Sequence, residues 1–174
     1  MKSIKQVLPI VALTVLVVFY ITGFNRKSDA DMKDKAFNYS FTVKGLEGNR
    51  VDFTTYKDKV IFLNLWATWC GPCRVEMPSI QKLYEKTQSE DIVFVMLALD
   101  KDGEEPKIRN YIEKNNFTFP VVMPSGGLSA QLNVPTIPTT FIISKEGKIV
   151  HQKIGTTNYD TEKYRKMLQD LAAQ

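Results

Sequence analysis

The chain has 174 residues, of which 44% are hydrophobic and 24% are charged, a composition typical of one globular domain with a short appendage. Its formal net charge is +4, but four basic residues flank an apolar run near the amino terminus, and residues 31–174 carry 19 Lys and Arg against 18 Asp and Glu. This near balance provides no basic surface of the kind that binds nucleic acid, so we expect no nucleic-acid partner.

The first predicted element is an uncharged run of 18 residues at positions 7–24, which is just long enough to span a bilayer. A cleaved signal peptide usually has a shorter apolar core and a small-residue cleavage site, and residues 21–25 contain no such site. We therefore predict that residues 1–27 form an uncleaved signal anchor, with a cleaved signal peptide as the alternative. Residues 28–36 are polar and without periodicity, which predicts a linker.

The folded domain is predicted to cover residues 37–174. Apolar and polar side chains alternate over residues 37–43 and again after a turn, so we expect the domain to open with a β-hairpin. Two continuous apolar runs follow, at residues 60–66 and 92–99. Such runs are typical of strands that are buried on both faces of a parallel sheet.

A helical pattern connects these two runs, beginning at Cys70 and extending to about Thr87. Strand, helix and strand thus form a βαβ unit with the cysteines at the carboxyl end of the first strand, where open α/β sheets place their sites. The later predicted elements are, in chain order, a helix, a short strand, one or two helical turns, an antiparallel hairpin and a closing helix, at residues 106–112, 119–122, 128–132, 140–154 and 164–171.

The chemistry of the chain centres on its only two cysteines, Cys70 and Cys73, which are separated by Gly71 and Pro72. Two thiols at this spacing can close a disulfide, and a thiol at a helix start has a lowered pKa because the helix dipole favours the thiolate. Pro72 suits the first helical turn, and Gly71 leaves the first sulfur uncovered. A structural zinc site would need four ligands, whereas the chain offers one pair of cysteines and one histidine, His151, which is distant from them in the sequence. An inert structural disulfide across so short a loop would add little stability.

The element order and three motifs resemble the thioredoxin superfamily, and most closely its membrane-tethered thiol:disulfide oxidoreductases of the TlpA and ResA type. The motifs are NLWATWCGPC at residues 64–73, EMP at 76–78 and VPTIPTTF at 134–141. The resemblance covers residues 37–172, and residues 102–122 resemble the helix and strand that this branch inserts. It implies an α/β thioredoxin fold with an N-terminal β-hairpin and a central helix-strand insert, preceded by one transmembrane helix.

The resemblance also implies the roles of the site residues. Cys70, which we expect to be exposed, corresponds to the attacking thiol, and the more covered Cys73 to the resolving thiol of a redox-active disulfide. Pro138 matches the family's cis-proline, which lies against the disulfide and presents the preceding backbone to a substrate strand; a proline ending a loop is the alternative. Trp69 is expected to offer an apolar docking edge. The expected substrate-binding residues are Trp69, Gly71, Pro72, Ile137 and Pro138.

Glu76 is the third expected catalytic residue, because it lies three residues beyond Cys73 and therefore on the same helical face. In the TlpA and ResA branch a glutamate at this place lies near the cysteines and is thought to assist proton transfer. The alternative is an acidic residue that complements the helix dipole. Thioredoxin has a buried aspartate at the position of Asn64, and an amide cannot exchange a proton, so Glu76 is the expected substitute.

The function that the resemblance implies is that of an enzyme without a cofactor, a thiol:disulfide oxidoreductase reducing disulfides of envelope proteins, as in cytochrome c maturation. Its catalytic domain is expected on the periplasmic, outer side of the cell inner membrane. The expected partners are disulfide-bonded protein substrates, a membrane reductase as electron donor, and the membrane itself. A copper-delivery protein on a related fold is the alternative, but it would need cysteines separated by three residues and a ligating histidine. A peroxidase on this fold would have a proline and a threonine before its reactive cysteine, which this sequence lacks.

Overall fold

The computed structural model describes residues 32–174, so the predicted signal anchor at residues 1–27 lies outside the described residues. Within residues 32–174, no helix is both long enough and apolar enough to cross a membrane. The last residues of the predicted linker contact the folded domain, because the Asp34 amide donates to the Ile149 carbonyl over 2.7 Å and the Ile149 amide donates to the Lys35 carbonyl over 2.9 Å.

Residues 32–174 form one sheet of seven strands, whose order is β2-β1-β5-β4-β3-β6-β7. The strands are β1 (Thr42–Gly45), β2 (Arg50–Asp52), β3 (Val60–Trp66), β4 (Ile92–Ala98), β5 (Val121–Pro124), β6 (Thr139–Ile143) and β7 (Ile149–Ile154). The α-helices of this part of the chain are α1 (Gly71–Thr87), α2 (Glu105–Lys114) and α3 (Glu162–Ala172). Strands β3, β4 and β5 run parallel to one another, and the remaining neighbours are antiparallel.

Strand β3 lies in the middle of the sheet, and all seven of its residues are buried. It pairs in parallel with β4 and antiparallel with β6, as its continuous apolar sequence predicts for a strand covered on both faces. The rings of Phe62 on β3 and Phe94 on β4 stack with their centroids 4.8 Å apart, and the ring of Tyr159 meets Phe62 edge-on at 5.1 Å. The predicted βαβ unit is therefore present, and α1 begins where β3 ends.

The opening hairpin is shorter than the alternating pattern predicts, because β1 begins only at Thr42. Phe37 and Phe41 are nevertheless buried, and their rings lie 5.8 Å and 4.4 Å from the ring of Phe53. In residues 37–41 the alternating pattern therefore indicates which side chains are buried, although these residues do not form part of a strand. The inserted strand β5 starts after Pro120, which has no N–H to donate, and it joins the hairpin to the rest of the sheet by pairing with both β1 and β4.

Candidate active site

The two cysteines lie at the start of α1 and are joined by a disulfide. Cys70 is the N-cap residue, and its Sγ accepts a hydrogen bond from the Cys73 amide over 3.2 Å. Pro72 occupies the first turn, where its missing N–H leaves no helix bond unmade. The disulfide therefore lies at the carboxyl end of the central strand and at the positive end of a helix dipole, as the sequence predicts.

The expectation that Cys70 is exposed is wrong for this disulfide form, because only 5% of the residue is exposed, against 0% of Cys73. The cause is the loop before β6, since the Ile137 carbonyl oxygen lies 3.8 Å from the Cys70 Sγ. The peptide bond between Ile137 and Pro138 is cis, as the motif match predicts. Gly71 remains exposed, and a Cβ built on it would meet no heavy atom within 4 Å, so the space beside the disulfide is open there.

A cavity of about 560 Å³, lined by both apolar and uncharged polar residues, lies beside Cys70. Trp69, which is 62% exposed, and Ile137 line it on the side of the disulfide, and Leu128, Leu132 and Val134 are among its other lining residues. None of the residues that line it is charged. The structure thus gathers Trp69 and Ile137 around one cavity next to the disulfide, whereas the exposed Gly71 and Pro72 lie outside its lining.

Glu76 is almost entirely buried, with 2% of the residue exposed. Its Oε1 accepts a hydrogen bond from Asn64 Nδ2 over 2.9 Å, and its Oε2 accepts one from the Thr157 amide over 3.2 Å. Burial raises the pKa of the Glu76 carboxyl to about 7, although these two hydrogen bonds and the charge of Lys153 act in the opposite direction. A carboxyl in this setting exists in both protonation states at neutral pH, unlike a solvated residue that only complements a helix dipole.

Asn64 connects Glu76 to two residues that the sequence analysis does not single out. Its Nδ2 also donates to Thr140 Oγ1 over 2.8 Å, and the Tyr159 hydroxyl donates to the same oxygen over 2.6 Å. Burial raises the pKa of Tyr159, and the nearby Glu76 carboxylate raises it further, so this hydroxyl keeps its hydrogen. A single polar residue inside an apolar strand is a signal that could have revealed this network, since buried polar groups nearly always have partners.

Asp100 is a second polar residue that the sequence analysis misses. Its side chain is fully buried and accepts hydrogen bonds from the Thr68 amide, over 3.0 Å, and from the Thr68 hydroxyl. Lys107 lies 3.8 Å from the same carboxylate. Because Thr68 immediately precedes Trp69 and Cys70, these bonds fix the segment that leads into the disulfide. An acidic residue directly after an apolar strand was the available signal.

His151 is half-buried and lies against Tyr164, with the ring centroids 5.7 Å apart. The Tyr164 hydroxyl lies 3.5 Å from His151 Nε2. Among the described residues, 32–174, no group of three or more His, Cys, Asp or Glu side chains is arranged to hold a metal ion.

Comparisons with known proteins agree with this geometry. The model of the Redoxin family matches residues 32–168. The thiol-disulfide oxidoreductase ResA of Bacillus cereus is 32% identical, over 97% of this chain and 99% of that protein. Sporulation thiol-disulfide oxidoreductase A of Bacillus subtilis is 29% identical, over 84% and 89% of the two chains. The crystal structure of StoA from Bacillus subtilis has a TM-score of 0.58 and 30% identity, over 69% of this chain and 90% of that one, which confirms the thioredoxin-like α/β fold.

We predict that Glu76→Gln removes a pH dependence of stability. The pKa of this carboxyl is about 7 in the folded protein and has a usual value of 4.5, so as the pH rises the unfolded chain loses the proton first. The free energy of unfolding should therefore decrease by about 3 kcal/mol at most between about pH 4.5 and pH 7, and it should level off above that range. Urea unfolding of the oxidised protein at several pH values measures this.

The matched control is Glu85→Gln, which changes an exposed glutamate on the same helix. Its pH dependence should follow that of the unchanged protein, whereas Glu76→Gln should gain relative stability as the pH rises. The same pH dependence in all three proteins would show that Glu76 does not titrate as a buried group.

Proposed function

Because the chain belongs to the Redoxin family and is a TlpA- and ResA-like thiol:disulfide oxidoreductase of the thioredoxin superfamily, we propose that it reduces disulfides of extracytoplasmic proteins through Cys70 and Cys73. The observation that carries this proposal is the buried carboxyl of Glu76, which lies on the same helix as the disulfide and three residues beyond Cys73. A structural disulfide would have no use for a titratable buried carboxyl at this place, because such a group costs stability.

In the proposed reaction the dithiol form of the chain is the reductant. The Cys70 thiolate attacks one sulfur of the substrate disulfide, which forms a mixed disulfide and releases the other substrate sulfur as a thiolate that takes up a proton. Cys73, as a thiolate, then attacks the Cys70 sulfur, which restores the Cys70 to Cys73 disulfide and releases the second substrate thiol. Two electrons and two protons thus pass from the cysteine pair to the substrate.

Glu76 is proposed to accept the proton of Cys73 when that thiol attacks. Cys73 is completely buried, so water is a poor proton acceptor for it, whereas a carboxylate on the same helical face is available. A proton acceptor works best when its pKa is near the working pH, and the pKa of about 7 satisfies this condition.

The substrate is proposed to bind as an extended segment across Trp69, Gly71, Pro72, Ile137 and Pro138. The Ile137 carbonyl lies against the Cys70 sulfur and can accept a backbone N–H of such a segment. The cavity beside Trp69 can receive an uncharged side chain that flanks the substrate cysteine. Disulfide-containing proteins therefore fit the site, and the substrates that we propose are envelope proteins, apocytochrome c among them.

The setting proposed for this reaction is the outer side of the cytoplasmic membrane. The uncharged run at residues 7–24 supports a signal anchor at residues 1–27, and the polar composition of residues 28–36 supports a linker to the domain at residues 37–174. A reductase in the same membrane would return the disulfide to the dithiol form, because each turnover oxidises the cysteine pair.

We predict that Cys73→Ala, expressed with the N-terminal segment intact, accumulates partner proteins joined through Cys70. Without the resolving thiol the mixed disulfide has no internal route to release. The captured proteins should be released by reductant, and mass spectrometry should identify apocytochrome c among them. The variant that lacks both cysteines is the control and should capture nothing. Capture by Cys70→Ala instead of Cys73→Ala would reverse the assignment of the two sulfurs.

A second prediction concerns the anchor. Removal of residues 1–27 should leave a folded domain that reduces protein disulfides at an unchanged rate when it is supplied with a small dithiol, because the residues of the proposed site all lie within residues 37–174. The full chain should be found in the membrane fraction and the shortened chain in the soluble fraction. A shortened chain that is misfolded or inactive would contradict the division into anchor, linker and domain.

A third prediction tests proton transfer directly. Glu76→Gln preserves the shape of the side chain but cannot accept a proton, so resolution of the mixed disulfide should slow by about 100-fold near neutral pH. The pH profiles of turnover and of cysteine alkylation should lose the transition near pH 7 that the Glu76 carboxyl provides. Glu85→Gln serves as the control, with unchanged profiles. If Glu76→Gln also leaves both profiles unchanged, Glu76 has no part in the proton transfer.

A further inference from the structure

The hydrogen bonds around Glu76 leave one acceptor unused. Asn64 donates through Nδ2 to Glu76 over 2.9 Å and to Thr140 over 2.8 Å, and Tyr159 donates to Thr140 over 2.6 Å. The Asn64 Oδ1 is buried and has no hydrogen-bond partner among the described residues. Both neighbours of the Thr140 hydroxyl donate to it, so neither of them accepts its hydrogen. This arrangement suits an ionised Glu76, which can only accept.

Turning the Asn64 amide by half a rotation exchanges its oxygen and its nitrogen. The oxygen then lies 2.8 Å from Thr140 Oγ1, where it accepts the hydroxyl hydrogen, and 2.9 Å from Glu76 Oε1, where it needs a donor. Only a protonated carboxyl provides that donor. The bond from Tyr159 to Thr140 is unaffected, so both arrangements contain three hydrogen bonds, and each leaves the far end of the amide without a partner.

We propose that Asn64 is a positioning residue whose side-chain amide inverts when Glu76 gains or loses its proton. The carboxyl then keeps its hydrogen bond with Asn64 in both protonation states, as the acceptor when ionised and as the donor when protonated. Thr140 makes the inversion feasible, because a hydroxyl can both donate and accept. The relevance to catalysis rests on the proposed proton transfer by Glu76, whereas the inversion itself depends only on the titration of that carboxyl.

The side-chain amide of Gln81, which lies on α1 together with Glu76, shows what holds an amide in one orientation. Gln81 Nε2 donates to a carboxylate and to a threonine hydroxyl, Glu85 over 2.8 Å and Thr118 over 2.7 Å, just as Asn64 does. Its Oε1, however, accepts the Thr118 amide over 2.9 Å. A backbone N–H cannot become an acceptor, so inversion of Gln81 would lose that bond. Within residues 32–174, Asn64 has no such third partner.

The groups that face Glu76 come from several elements. Lys153 of β7 lies near enough for its charge to favour the carboxylate, and Tyr159 and Tyr164, before and within α3, interact with that carboxylate. The cysteines on its own helix, Cys70 and Cys73, do not titrate while they form a disulfide. The titratable ring of His151 lies against Tyr164, so in the oxidised protein a change near pH 7 in the surroundings of Asn64 is assigned to Glu76 when it is absent from Glu76→Gln.

The test is nuclear magnetic resonance of the oxidised, isotope-labelled protein, following the side-chain amide protons of Asn64. Cross-peaks between these protons and the Thr140 side chain should be strong above the titration of Glu76 and should be lost below it, because the NH₂ group then points away. The corresponding cross-peaks between Gln81 and Thr118 should persist throughout and serve as the internal control. Cross-peaks from Asn64 to Thr140 that persist across the titration would overturn the proposal.

Two variants extend the test. In Asn64→Leu the ionised Glu76 carboxylate loses a charge-assisted hydrogen bond, whereas the protonated carboxyl loses only a weaker, neutral one. The midpoint of the Glu76 titration should therefore move up by about one pH unit. Gln81→Leu should leave it in place, and equal effects of the two variants would overturn the proposal. The wild-type spectrum alone decides the inversion, so the result does not depend on how a variant folds. An inversion seen together with unchanged turnover in Glu76→Gln would support the role of Asn64 and refute the proton transfer.

Discussion

The burial of one carboxyl group against the central strand is the interaction on which the proposed chemistry depends. Glu76 extends from α1 toward β3, and the only polar residue of that strand, Asn64, meets it there. Removal from water raises the pKa of the carboxyl, and two hydrogen bonds keep the increase moderate. The result is a group that is ready to exchange a proton at neutral pH, three residues along the helix from the buried sulfur of Cys73.

The topology of the sheet brings the other parts of the site to this carboxyl. The parallel βαβ unit places the disulfide where β3 ends and α1 begins. Strand β6, antiparallel to β3, and the loop before it contribute at two places, because the Ile137 carbonyl of that loop lies 3.8 Å from the Cys70 sulfur and Thr140 of β6 pairs directly with Asn64. A thiol:disulfide oxidoreductase needs both a covered sulfur and a docking place for its substrate. The loop before β6 covers the sulfur, and in the proposed reaction it also receives the substrate.

Much of this arrangement could be predicted from the sequence, because it depends on local patterns. Continuous apolar runs indicated β3 and β4, and helical periodicity placed Glu76 on the face of Cys73. A polar residue in an apolar strand indicated that Asn64 has buried partners, but Thr140 could not be identified as one of them, since it lies 76 residues away and meets Asn64 only through the strand register. The contact between Thr68 and Asp100 was missed for the same reason. The motif at residues 134–141 indicated a cis-proline loop against the disulfide, but the degree to which that loop covers Cys70 depends on tertiary packing, which no local pattern encodes.

The most direct test of this account is a carbon-13 NMR titration of the Glu76 carboxyl in the oxidised and the reduced protein. The account predicts a midpoint near pH 7 in the oxidised form. It predicts a different midpoint after reduction, because a thiol that exchanges its proton with the carboxyl must titrate together with it. A midpoint near the usual value of 4.5 in both forms would contradict the central claim that Glu76 is a buried proton acceptor for the cysteine pair.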